Sequence, residues 1–306
     1  MRGKGPSGED NTAVRVVMVK GQREKGGQIF ARKLSRDQVR RFRDTVYGHY
    51  RVHKREMPWR QTHNPFHILV SEIMLQQTQV ERVMGKYGDF LAKFPDFETL
   101  AGAPWAEVLA VWQGLGYNRR ALSLKRLAQV VMENWGGALP TSVEDLRSLP
   151  GIGPATAGAL LAFAFEQPVV FIETNIRRVF LHCFFADQEG VTDREILPLV
   201  AETLDRERVR DWYYALMDYG VELKKSGPNP NRRSAHYARQ SPFNGSNREV
   251  RGRILKTLLR ETVSSLEELA QAMGISPDRT EAALEQLLAE GFVIRNGERL
   301  SLARQV

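Results

Sequence analysis

Between Leu149 and Ala157 the chain reads Leu-Pro-Gly-Ile-Gly-Pro-Ala-Thr-Ala, and no other stretch constrains the fold around it as tightly. Gly151 and Gly153 flank Ile152, so a tight turn can bring backbone N–H groups close to an anion. The apolar run from Ala155 to Phe165 then predicts a helix whose N-terminus favours negative charge. Gln167-Pro168 ends that helix, and Phe171-Ile-Glu-Thr-Asn-Ile-Arg-Arg178 follows, which sets the Glu173 carboxylate just beyond it. Two readings fit these residues: a phosphate clamp joined to a carboxylate, or an ordinary turn between helices with a surface glutamate.

Composition narrows the class. At 306 residues the chain has room for about two domains with a substantial core. Its net charge of +8 points to a polyanionic partner, with nucleic acid the leading candidate. No apolar run reaches the roughly 18 residues of a membrane span, and no apolar segment with a small-residue cleavage site follows the N-terminus. A cytoplasmic, nucleoid-associated protein without membrane partners is expected. Cys183 is the one cysteine, which rules out an intramolecular disulfide, a cysteine-rich zinc site and a cysteine-ligated iron–sulfur cluster.

Along the chain, residues 1–34 read as a basic arm or a small hairpin. Ser35 and Gln38 form a capping-box signature, with Val39, Phe42, Val46 and Tyr50 following at helical spacing. From there to residue 225 nearly every segment predicts helix, so the core of residues 35–225 is mainly α, with about ten helices. Residues 226–247 mix turn formers with Arg232, Arg233 and Arg239, following Lys224 and Lys225, and read as a basic linker or loop. Residues 248–306 predict three short helices and a hairpin turning at Asn296-Gly297, a winged helix.

Glu72 stands alone as an acid in the apolar Leu69-Val-Ser-Glu-Ile-Met-Leu-Gln-Gln-Thr-Gln-Val80. Apolar surroundings raise a carboxyl pKa, as a general acid at neutral pH requires, although a helix-face residue paired with an arginine fits equally. Together with Met57-Pro-Trp-Arg60, Gly114-Leu-Gly-Tyr117, the hairpin and Asn175-Ile-Arg-Arg178, this block resembles in order and spacing the helix-hairpin-helix (HhH-GPD) DNA glycosylases, most closely the adenine glycosylases of the MutY type. The resemblance covers about Val46 to Gly220.

The resemblance implies two helical lobes with a DNA-binding cleft between them and a target nucleotide flipped into it. Unstacking a base costs a few kcal/mol, so a wedge must fill the vacated stack. Tyr117 matches the family's inserted tyrosine, and Gln77 and Thr78 match the loop that touches the opposite base; a core tyrosine and helix-capping polar residues are the plainer readings. Glu72 matches the acid that protonates the departing purine. A second carboxylate stabilises or attacks the oxocarbenium-like sugar. Here the chain departs from the family: Glu173 stands where aspartate is usual and Thr174 where glycine is usual, which implies either a site rebuilt around Glu173, with a shifted backbone or a different substrate, or weak or lost activity; the retained Glu72, Asn175 and hairpin favour the rebuilt site. The catalytic set is therefore Glu72, Glu173 and Asn175, and the DNA-contacting set is Gln77, Thr78, Tyr117, Gly151, Gly153, Ala155 and Arg177.

Bifunctional relatives carry a lysine nucleophile at the position of Ala155. This chain has no lysine between Lys125 and Lys224, so a monofunctional glycosylase without lyase activity is expected. No metal site is expected and no cofactor, although the resemblance leaves room for a monovalent cation at the hairpin. The cysteines that hold the family's cluster are replaced by the basic loop, and the Nudix-like C-terminal domain by the winged helix. The third helix of that domain carries Asp278, Glu281, Glu285 and Glu290 against Arg279 alone, so it is expected to pack against the core or a protein partner, while Arg295 and Arg299 of the wing reach toward DNA. The expected partner is double-stranded DNA with a lesion or mismatch, bound by a monomer. Adenine opposite guanine or 8-oxoguanine is the first target; excision of another deaminated or oxidised base, or silent lesion binding, are the alternatives.

Overall fold

The computed structural model describes residues 33–239, 242–260, 263 and 265–303. The arm or hairpin expected over residues 1–34 lies, except for Lys33 and Leu34, outside the described residues. In chain order the helices are α1 (Arg36–His53), α2 (Pro65–Leu75), α3 (Val80–Lys93), α4 (Phe97–Gly102), α5 (Trp105–Trp112), α6 (Arg119–Trp135), α7 (Val143–Ser148) and α8 (Pro154–Ala164). They continue with α9 (Thr174–Phe184), α10 (Asp193–Thr203), α11 (Val209–Lys225), α12 (Asn247–Leu258), α13 (Leu266–Met273) and α14 (Pro277–Ala289), before strands β1 (Val293–Asn296) and β2 (Arg299–Leu302). The mainly helical class expected from the sequence is what the chain adopts.

Local chemistry sets most boundaries. Ser35 and Gln38 form a reciprocal capping box at α1, and Thr192 with Glu195 does the same at α10. The Asn64 side chain accepts from the Phe66 and His67 N–H groups to start α2, with Pro65 in the first turn. Gly136, left-handed at φ +57°, ends α6, and Gly274 at φ +62° ends α13.

Two compact units result. One comprises, among the described residues, 33–54, Ile172–Leu204 and Trp212–Tyr237. Its core is an aromatic cluster in which Phe42 of α1 meets Phe180 and Phe184 of α9 and the indole of Trp212 at centroid distances of 5.3, 5.0 and 5.8 Å. Arg43 fastens α1 to the end of α10 through the Thr203 and Leu204 carbonyls. Residues 229–234 close against α9, because Asn231 Nδ2 donates to the Thr174 carbonyl and Arg233 to that of Leu181.

The other unit comprises Arg55–Phe171, Asp205–Asp211 and Ala238–Val306. Here α2 is buried over most of its length and packs on α8, while α4 and α5 pack on α6. Phe66, Phe90, Trp105 and Trp112 fill the interior. After α14 the two strands pair antiparallel from Val293 with Leu302 to Asn296 with Arg299, and Val263 bridges Leu300 on the far side.

Candidate active site

The stretch from Leu149 to Ala157 forms the turn between α7 and α8. Gly151 takes φ +81°, and a Cβ there would stand 2.8 Å from Ser123 Cβ of α6, so both conformation and packing demand glycine. Ile152 turns inward and is buried, whereas Gly153 is exposed and Ala155 half-buried. No side chain caps α8, and Pro154 occupies its first turn. The first-turn N–H groups of α8 are thus left to an outside acceptor, which is the arrangement that binds phosphate. Gln76 at the end of α2 donates to Thr156 Oγ1 at 3.2 Å, tying the hairpin to the glutamine-rich loop.

Glu173 lies at the head of α9 as its N-cap, and so belongs to the next helix rather than to a loop behind α8. Its Oε1 accepts from the Asn175 and Ile176 N–H groups at 2.7 and 2.8 Å, and Oε2 from Asn175 Nδ2 at 3.2 Å. Burial raises the Glu173 pKa above the ordinary carboxylate value, outweighing those hydrogen bonds and the nearby Arg178 and Arg177 charges. The Asn175 amide is fixed from the other side, where Oδ1 accepts from Arg178 Nη1 at 2.6 Å. Arg178 is only 4% exposed and also donates to the Gly220 carbonyl at 2.7 Å and to Asn229 Oδ1 at 3.1 Å. Burial lowers the Arg178 pKa, against the pull of Glu173.

A second cluster is built around Arg120. From α6 its Nη1 donates to the Ile73, Met74 and Gln76 carbonyls at 2.8, 2.8 and 2.6 Å, which are the open acceptors at the end of α2. Its Nη2 donates to Thr78 Oγ1 at 2.9 Å and to the Leu115 and Gly116 carbonyls at 3.3 and 3.0 Å. Burial lowers its pKa to about 10. The guanidinium also lies 5.4 Å from the Tyr117 ring. Gln77 and Tyr117 are both left-handed, at φ +56° and +49°, so the two loops bracketed by Arg120 each carry a strained non-glycine residue.

Of the residues singled out from sequence, Gln77, Thr78 and Tyr117 come together around Arg120, in the unit that also holds Glu72, Gly151, Gly153 and Ala155. Glu173, Asn175 and Arg177 belong to the other unit. Glu72 is half-buried on α2 between buried Ser71 and Ile73. Arg177 is engaged in a bidentate pair with Asp193, 2.6 Å at each contact. In the basic stretch Lys224, Lys225, Arg232 and Arg239 are exposed. Sequence reasoning missed Arg178 and Arg120. The first had a usable signal, since Asn175 and Arg178 are three apart on one helix and therefore share a face; the second had none, because its partners come from α2 and two loops. Among the described residues no group of His, Cys, Asp and Glu could hold a metal ion, and no helix is long and apolar enough to cross a membrane.

The turn between α7 and α8 and the carboxylate at the head of α9 both fall within residues 70–202, which match the HhH-GPD superfamily of base excision DNA repair proteins. Over 267 residues the chain is 33% identical to the adenine DNA glycosylase of Mycobacterium tuberculosis strain H37Rv, covering 80% of this chain and 88% of that protein. It is 34% identical over 198 residues to the human adenine DNA glycosylase, covering 61% of this chain and 36% of that one. Among solved structures, a thermostable thymine-DNA glycosylase superposes with a TM-score of 0.54 at 27% identity, covering 60% of this chain and 86% of that one. Endonuclease III in a trapped covalent complex with DNA shares the fold, with a TM-score of 0.53 at 20% identity over 69% of this chain and 92% of that one. The chain belongs to the adenine DNA glycosylase family of the HhH-GPD superfamily.

Proposed function

We propose that the chain is a monofunctional DNA glycosylase of base excision repair that removes adenine mispaired with guanine or 8-oxoguanine. The observation that carries this reading is the 33% identity extending over 88% of the M. tuberculosis adenine DNA glycosylase. Duplex DNA is bound with its phosphates at the N-terminus of α8, Gly151 and Gly153 letting the backbone approach and Ala155 lining the first turn. Tyr117 fills the stack vacated by the flipped adenine, and Gln77 and Thr78 face the opposite base.

Glu72 supplies the proton that lets adenine leave. Glu173 stabilises the positive charge that develops on the sugar. Its partial burial supports the role, because a carboxylate partly withdrawn from water interacts more strongly with a cation formed beside it than one in bulk solvent. Asn175 orients that carboxylate and is itself held by Arg178. Arg177, tied to Asp193, shapes the head of α9.

Strand cleavage is not part of the proposed reaction. Ala155 offers no nucleophile, and the Lys125 ammonium is buried in donation to the Ala101 carbonyl at 2.9 Å. A cysteine-ligated cluster does not fit this donor set, since Cys183 is the one cysteine and lies buried in α9. The reading is tested on a panel of duplexes with single lesions and mismatches. Abasic product should accumulate only where adenine faces guanine or 8-oxoguanine, and strand breaks only after alkali. Product on another lesion with none at these pairs would replace adenine as the target; lesion binding with no product on any duplex would overturn the enzyme reading.

A further inference from the structure

We propose that the C-terminal segment, residues 242–303, is the positioning element of the Tyr117 wedge, with Arg248 as its positioning residue. The inference rests on the reading of Tyr117 as the residue that enters the DNA stack. Arg248 reaches from the first turn of α12, lays its guanidinium 5.4 Å from the centre of the Tyr117 ring, and donates through Nη1 to the tyrosine hydroxyl. With Arg120 at 5.4 Å from the same centroid, one aromatic ring is held by two guanidiniums. Tyr117 needs holding: its φ of +49° is a conformation that an aromatic residue keeps only where its surroundings impose it.

A second fastening lies two residues further along the same turn. Glu290, at the end of α14, accepts from Arg119 at 2.5 and 2.7 Å and from Arg251 of α12 at 2.9 and 2.7 Å. The Phe292 ring then meets Trp105 of α5 edge-on at 5.5 Å. The segment thus grips the wedge turn from the tyrosine to Arg119 and the helix beneath it. The outer face of α14 does something different. Asp278, Glu281 and Glu285 are exposed there, and such a face repels phosphate, so this helix does not serve as a groove-reading element. What the segment offers DNA is a wedge already in place, sparing the ordering of a free side chain at the moment of insertion.

The test follows base unstacking directly, using a duplex with 2-aminopurine as the target base opposite 8-oxoguanine and stopped-flow fluorescence at saturating enzyme. Loss of a hydrogen bond from a charged donor should slow the fluorescence rise in Arg248→Met by about tenfold. Tyr117→Phe, which keeps the ring and removes only the hydroxyl, should show the same deficit should Arg248→Met not fold, and the double variant should be no slower than either single one. A wild-type rate in Arg248→Met or Tyr117→Phe, or additive deficits in the double variant, would overturn the inference and leave the wedge standing if Tyr117→Ala is slow. A wild-type rate in Tyr117→Ala would remove the wedge reading itself, and the inference with it.

Discussion

Arg120 Nη2 lies 2.9 Å from Thr78 Oγ1, so a half-buried cation on α6 joins the loop after α2 to the turn that presents Tyr117. The same guanidinium satisfies the carbonyls of Ile73, Met74 and Gln76, at the end of the helix that carries Glu72. Lysine brings one compact charge and cannot span both sets of acceptors.

Arg120→Met should therefore lower stability by about 3 kcal/mol, because it strands several buried carbonyls at once. Arg120→Lys should lose less. Urea denaturation reads the difference as a shift in midpoint, and an unshifted midpoint for Arg120→Met would contradict the assignment.

For Glu173 the sign of the pH effect follows from its raised pKa. Such a group contributes stability that is fully present below its unfolded-state pKa and is lost as pH rises through the higher folded value. Catalysis runs the other way, because the anion is the working form and grows over that interval. The acid limb of the single-turnover profile should thus lie above the ordinary carboxylate range. Glu173→Gln still offers an acceptor to the N–H groups of α9 and should fold, yet form no abasic product. Glu173→Asp tests the rebuilt site: a shorter side chain that restores or raises the rate would show that the extra methylene is a handicap rather than an adaptation.

What was legible in the sequence was local. Ser35 with Gln38, Asn64 before Pro65, and Gly136 after a periodic run mark helix ends because each cap is satisfied within a few residues, and the helix boundaries follow from them. Arg120 and Arg178 are a different matter. Arg120 bonds residues 42 to 47 positions earlier in the chain, and Arg178 reaches Gly220 and Asn229, 42 and 51 positions later. No periodicity encodes such contacts. Arg177 and Arg178 are adjacent and alike on paper; only the fold separates the one tied to Asp193 from the one that holds Asn175. The acidic α14 showed its charge in sequence, while the partners of Glu290 became visible only once α6 and α12 were in place.

Glu290 should make the protein acid-labile in a defined window. Burial raises its pKa, but hydrogen bonds from Arg119 and Arg251 outweigh that and hold the carboxyl at about 2. A depressed acid contributes stability that is present above its unfolded value and lost as pH falls through the folded one. The melting temperature of the wild type should therefore fall between about pH 4.5 and pH 2 more steeply than that of Glu290→Gln. Parallel curves for the two proteins would show that the bridge contributes nothing measurable.

Gly220 supplies the sharpest separation of stability from activity. A Cβ on this residue of α11 would stand 2.5 Å from the Asn175 carbonyl oxygen and 2.8 Å from Asn175 Cβ, and the first of these is backbone, which yields only by shifting the turn that carries it. Alanine favours a helix over glycine by about 1 kcal/mol, which offsets only part of the cost of forcing a carbon against backbone, at the upper end of about 1–3 kcal/mol, so Gly220→Ala should lose about 2 kcal/mol of stability. Its effect on the reaction should be much larger. The displaced strand of backbone is the first turn of α9, whose N–H groups hold Glu173, and a shift of about 1 Å in a catalytic group costs on the order of 100-fold in rate. Gly85→Ala is the control, since a Cβ in that exposed turn of α3 meets nothing within 4 Å and should raise stability slightly. Single-turnover excision and duplex affinity, measured for both variants, separate the effects: Gly220→Ala should bind duplex as the wild type does and excise slowly, and a wild-type rate would mean that the placement of Glu173 does not depend on the close approach of α11 to α9.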